Sequence, residues 1–174
     1  MIVQTVMPLE LYKIMREQGY YEGNEKYIWD SFIGPYKWMM GEMKKRIPHY
    51  DGETYPVWVW QRTVNRNEEC LLAPGRRGVI LILDIPDEDI LWSCFTKWHS
   101  ILNDFPVTLS EEEWNLFIEK DFKDKEETWS RIFDFELLKT IDPDWYKFEP
   151  EWIQGVTPRI EMKHVKKVKR FIAK

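Results

Sequence analysis

The stretch Trp98-His99-Ser100-Ile101-Leu102-Asn103 holds the strongest candidates for polar chemistry. On a helix, His99 and Asn103 lie four residues apart and share a face. An imidazole works as acid, base or hydrogen-bond donor near neutral pH, and Asn103 would orient it. The same two residues also suit a buried couple that satisfies backbone groups beside Trp98. Trp58 and Trp60, with Tyr55 close by, offer a stacking surface for a base, a nicotinamide or a partner's aromatic side chain. Their spacing fits a core-facing strand equally well, since aromatic residues are good strand formers.

The other reactive residue types form weaker patterns. Cys94 precedes His99 by five residues, a spacing that aligns a thiol and an imidazole poorly. Cys70 and Cys94 are too few for a disulfide framework and read as reduced thiols of a cytoplasmic protein. His49, His99 and His164 show no metal-ligand spacing, so no metal is expected. Glu111-Glu112-Glu113 and Lys123-Asp124-Lys125-Glu126-Glu127 read as solvated helix ends. Gly75-Arg76-Arg77-Gly78 lacks the strand-loop-helix setting of a phosphate loop and leaves Arg76 and Arg77 as an anion contact.

These residues must be positioned by elements that the pattern of apolar residues predicts. Ile2 to Val6 is a β-rich strand, and Pro8 opens a helix that Gly19 stops. Trp29 to Ile47 repeats apolar residues at helical steps, with an interruption expected at Gly34-Pro35. Tyr55-Pro56-Val57-Trp58-Val59-Trp60 alternates with period two, placing both tryptophans on one strand face. Gly78 to Pro86 is apolar on both faces, which predicts an interior strand covered on both sides. Asn65 to Arg77 between them is a loop. Phe95 to Asn103 is a short helix, Ser110 begins a capping box, and a further helical stretch carries Trp129, Ile132 and Phe133. Asp142-Pro143-Asp144 makes a turn, and Ile153 to Ile160 and Val165 to Ile172 are closing strands.

The irregular interleaving predicts an α+β fold: a single domain over residues 1–174, with a largely antiparallel mixed sheet packed with several helices. At 174 residues, 44% of them apolar, the chain can bury a core without staples. Its 10 Trp, 8 Tyr and 9 Phe are unusually many, enough to fill that core and still line a ligand surface. No stretch resembles a signal or a membrane span, the longest apolar run being Val79 to Leu83. The net charge of −5 disfavours broad nucleic-acid binding, but it is unevenly spread. Ser110 to Glu151 holds 14 acids and 6 bases, whereas Trp152 to Lys174 holds 7 bases and one acid. The basic segment is expected to pack against the chain's own acids, with docking on an external anion as the alternative.

Several segments resemble one family. They are Pro35-Tyr36-Lys37-Trp38-Met39 with Met43-Lys44-Lys45-Arg46, Tyr55 to Trp60, Gly78 to Pro86, Phe95 to Asn103, Trp129 to Asp134, Trp152-Ile153-Gln154 and His164 to Val168. Together they resemble domain-of-unknown-function family 3841, which implies bacterial or phage origin and carries no established activity. The opening strand and Gly19-ended helix are also similar in layout to small ADP-ribosyltransferase-type folds. That resemblance implies an enzyme acting on NAD or a nucleotide-type substrate. The stretch corresponding to its catalytic acid reads Gln154-Gly155-Val156, without an acid, and adds Gln154 to the candidate ligand residues. The expectation is therefore a binding or accessory domain whose aromatic groove takes a protein partner or a nucleotide-like ligand. Tyr55, Trp58, Trp60, Trp98, His99, Asn103 and Gln154 would line it. The alternative is the transferase-like enzyme, and only that reading calls for a cofactor, NAD.

Overall fold

Val57 and Val59 are buried on one side of a four-residue strand while Trp58 and Trp60 stand half-buried on the other. The whole architecture follows that division. The computed structural model describes residues 1–68 and 72–174, so Cys70 lies outside the described residues. In chain order the sheet strands are β1 (Ile2–Pro8), β3 (Val57–Trp60), β4 (Arg77–Asp84), β5 (Leu91–Cys94), β6 (Ile153–Thr157) and β8 (Val165–Ile172). They lie in the order β5-β6-β3-β1-β4-β8, with every neighbouring pair antiparallel. A separate ribbon pairs β2 (Tyr20–Tyr21) with β7 (Ile160–Glu161). The fold is α+β, as the interleaved pattern implied.

The valine face of the sheet, with Val3, Met7, Val79, Leu81 and Leu83, is covered by helix α1 (Leu9–Gln18) through Tyr12 and Met15. Pro8 precedes that helix and Gly19 ends it at φ 90°, where its N–H closes onto the Met15 carbonyl at 2.9 Å. Only glycine takes this left-handed conformation at little cost.

The tryptophan face is covered in two halves. Over β5, β6 and β3 lie α2 (Ile33–Arg46), α3 (Phe95–Leu102) and a 3-10 segment, Lys125–Phe133. Met39, Met40, Met43, Trp98, Ile101, Trp129 and Ile132 pack there against Leu91, Val156 and Trp58. Over β1, β4 and β8 the cover comes from Val64, Leu72 and Ala173, packed on Ile80, Phe171, Val6 and Trp60. Helix α4 (Glu111–Glu119) opens on the expected cap: the Ser110 hydroxyl accepts from Glu113 N–H at 3.2 Å, and Glu113 reaches back to Leu109 N–H at 2.7 Å. Helix α5 (Phe135–Lys139) sets Leu138 beside Cys94 at the β5 edge.

Two expectations need correction. The second helix does not run from Trp29 with a break at Gly34-Pro35. Residues 30–32 form a 3-10 turn, Trp29 is 73% exposed, and α2 begins at Ile33 with Pro35 inside its first turn. Proline costs nothing there because the first-turn N–H groups have no intrahelical partner. Nor does the basic segment fold onto the acidic one. β8 is one edge of the sheet, whereas α5 and the 3-10 segment of the acidic stretch pack beside β5 at the other. Among the described residues, the bases after Trp152 pair instead with Glu22, Glu161 and Asp84.

β4 is an interior strand on which Val79, Leu81 and Leu83 are fully buried. Leu81→Ala should therefore lower the unfolding free energy by about 2–5 kcal/mol through the cavity it leaves. Ile172→Ala, at a side chain 63% exposed on β8, should change it by less than about 0.5 kcal/mol. Urea titration of the two variants checks the contrast.

Candidate functional site

Residues opposed in neighbouring antiparallel strands share a sheet face. On that basis one row runs across the tryptophan face: Ser93 on β5, Gln154 on β6, Trp60 on β3, Gln4 on β1 and Ile82 on β4. A parallel row places Leu91, Val156 and Trp58 together, deeper under the helices. The two tryptophans of β3 therefore have different surroundings.

Trp58 belongs to the core. Its indole N–H donates to the Tyr36 hydroxyl at 2.9 Å, and its ring lies 5.2 Å from that of Trp98, which is 3% exposed. Burial raises the Tyr36 hydroxyl pKa, against a smaller lowering by the Trp58 N–H. Tyr55 stands at the margin of this cluster, its hydroxyl donating to the Glu25 carboxylate. Burial, followed by that carboxylate, pushes its pKa up to about 12, so it remains a donor at neutral pH.

Trp60 faces a different set. Its ring centroid is 5.0 Å from Phe95 and 6.2 Å from Trp152, and Phe95 stacks on Trp152 at 5.5 Å with planes 20° apart. His99 meets Phe95 edge-on at 4.4 Å. The Arg62 guanidinium lies 4.6 Å above the Trp60 ring and 5.0 Å above that of Trp152. Two hydrogen bonds, 2.6 and 2.9 Å, hold it to the Glu68 carboxylate. The Arg62 bonds in turn keep the Glu68 carboxyl below its usual pKa. The result is a half-buried aromatic array with a planar cation on its outer side.

Two polar atoms beneath this array lack partners. Gln154 Nε2 and Ser93 Oγ are buried and have no hydrogen-bond partner, in side chains that sit opposite each other across β5 and β6. Next along the row, Gln4 Oε1 accepts from Val64 N–H at 3.0 Å and is satisfied. Buried polar groups are nearly always paired, so two neighbouring orphans call for a specific explanation. Water or a ligand's polar edge would supply it.

Of the residues expected to line a groove, Trp60, His99 and Gln154 meet around Phe95 and Trp152, while Trp58, Trp98 and Tyr55 belong to the adjoining core. Asn103 does not orient the imidazole. Its amide donates to the His99 backbone carbonyl at 2.7 Å and so satisfies the end of α3. His99 Nδ1 donates to the Phe95 carbonyl at 2.9 Å, which leaves Nε2 as the acceptor, and both residues are exposed rather than a buried couple. The Cys94 thiol contacts Thr96 and Tyr146 at 3.2 and 3.1 Å rather than His99. Arg62, Phe95 and Trp152 were missed in the sequence. Arg62 continues the period-two series Trp58, Trp60, and Trp152 precedes Gln154 in the same register, so alternation carried both signals.

Together these features define an α+β domain built on an antiparallel sheet, with an aromatic array at the margin of its helical cover. The chain belongs to the domain-of-unknown-function family DUF3841, whose pattern matches residues 3–126. No curated protein and no solved structure matches it, so the likeness to ADP-ribosyltransferase-type folds finds no support there.

Tyr36→Phe removes the acceptor of the Trp58 indole N–H and should cost about 1–3 kcal/mol. Gln154→Leu removes the unpartnered Nε2 and should be near neutral or stabilising in the unliganded protein. Thermal denaturation of both variants tests whether the polar atoms of the two rows differ as described.

Proposed function

We propose that this domain is a binding module that holds a planar, nucleotide-like ligand against Trp60, Phe95 and Trp152. The observation that carries this reading is the pair of unpartnered atoms, Gln154 Nε2 and Ser93 Oγ, set beside an aromatic array. Flat rings stack on such an array without regard to base identity, while an amide and a hydroxyl read the polar edge of a heterocycle.

Arg62 occupies the outer faces of both indoles, so a ligand ring exchanges places with the guanidinium. Arg62 and Glu68 are only 17% and 25% exposed and joined by two hydrogen bonds, so the exchange shifts the pair as a unit and gives up cation–π contacts of about 0.5–1 kcal/mol each. Stacking a base on an aromatic side chain returns about 1–3 kcal/mol. Exchange at the rings is therefore close to balanced. Satisfying the Gln154 and Ser93 orphans, each about 1–3 kcal/mol when left unpaired, tips it toward the ligand. This mechanism makes Gln154 a specificity residue and the tryptophans a sequence-tolerant platform.

Thermal-shift titration with the common ribonucleosides and their 5′-phosphates tests the reading. A ligand at a hundred times its dissociation constant should stabilise the fold by about 2.7 kcal/mol. Trp152→Ala should abolish that shift, and Gln154→Leu should weaken it without lowering the stability of the free protein. Absence of a shift with every compound, or a shift unchanged in both variants, overturns the proposal.

A further inference from the structure

The segment that carries Arg62 over the aromatic array continues directly into the wall of a cavity. Thr63, Val64, Asn65 and Arg66 line one side of a space of about 490 Å³, and Ile80, Lys169, Arg170 and Phe171 line the other. Val64, Ile80 and Phe171 are buried in one cluster with Trp60 packed against it, so the aromatic array adjoins the cavity's wall. Arg66 and Lys169 come from two separate elements, and among the described residues neither forms an ion pair, whereas Arg170, opposite Val79, belongs to the other face of the sheet. Lysines on an edge strand such as β8 guard it against pairing with another chain. That role accounts for Lys166 and Lys167 but not for Arg66, which reaches the same space from the loop.

We infer that this cavity receives the phosphates of the ligand whose base stacks on Trp60 and Trp152, so that the ligand is a nucleotide with two or more phosphates. The inference rests on the stacking reading above and adds to it the chemistry of the ligand's other end. Trp60 and Ile82 are two strands apart, about 10 Å at the usual strand spacing, and Ile80 lies two residues further along β4. That span is of the same order as the distance from a nucleotide's base to its outer phosphates. Guanidinium and ammonium groups make charge-assisted hydrogen bonds to phosphate oxygens, and Thr63 and Asn65 add neutral partners on the same wall. The volume falls within the range of small-ligand pockets. The acids of Ser110 to Glu151 lie toward the opposite sheet edge, so nothing on that stretch competes for these cations. The net charge of −5 opposes a long polyanion and favours a discrete ligand.

Calorimetric titration of adenosine, adenosine 5′-triphosphate and inorganic triphosphate, repeated with the guanosine and uridine series, tests the assignment. The parent protein should bind at least one triphosphate about tenfold or more tighter than its nucleoside. The double variant Arg66→Glu, Lys169→Glu should lose that advantage while binding the nucleoside as the parent does. Trp152→Ala should lose both ligands, and the nucleoside result with that variant reports on stacking alone. Equal affinity for nucleoside and triphosphate in the parent overturns the phosphate site and leaves the stacking reading standing. Binding of inorganic triphosphate as tightly as any nucleotide, unchanged in Trp152→Ala, overturns the shared ligand. A decauridylate that binds more tightly than every triphosphate, with a steep salt dependence, replaces the discrete ligand with a nucleic-acid strand.

Discussion

Alternation along β3 is the constraint on which the rest of this structure depends. A strand presents successive side chains to opposite faces, so Val57-Trp58-Val59-Trp60 must feed two cores at once. The small, branched valines let α1 approach closely through Tyr12 and Met15. The indoles on the other face pack against the methionine-rich side of α2 and the body of α3. A one-residue slip in the pairing of β3 with β6 would exchange these faces. Gly155 helps to fix that register, because a Cβ there would come within 2.5 Å of Ile90 and 3.0 Å of Trp92.

The helical cover explains why the two tryptophans of β3 have different surroundings. α2 and α3 extend over the Leu91, Val156 and Trp58 row, and Trp98 seals it. One row further, Trp60 meets Phe95 from the start of α3, Trp152 and Arg62. The unsatisfied atoms Ser93 Oγ and Gln154 Nε2 lie in this row.

Local chemistry was legible in the sequence and long-range arrangement was not. Pro8, Gly19 and Ser110 announce their helix ends because caps depend on residues a few positions apart. The period-two and unbroken apolar runs likewise gave β3 and β4. Pro35 misled because proline breaks a helix only beyond its first turn, and the position of that turn was set by the preceding 3-10 residues. His99 and Asn103 have the spacing of a couple, yet Asn103 satisfies a helix-end carbonyl, a demand that side-chain spacing does not show. Nothing local reveals that Arg62 lies over Trp152, ninety positions away in the sequence, or that the acidic and basic segments occupy opposite sheet edges.

β1 lies between β3 and β4, with Ile2 opposite Asp84 and Pro8 opposite Gly78. Its ladders close only after more than fifty intervening residues have been made, and β3 gains its second neighbour only when β6 arrives around residue 153. Until β3 and β4 have been made, β1 has no sheet partner, although α1 beside it can already form. Closing such distant pairs is entropically costly, and sheets built from them fold slowly compared with locally connected helices. During synthesis on a ribosome, this apolar strand therefore has no sheet partner until β3 and β4, residues 57–84, have been made. The rate at which β4 reaches β1 sets how long that strand is open to association with other nascent chains.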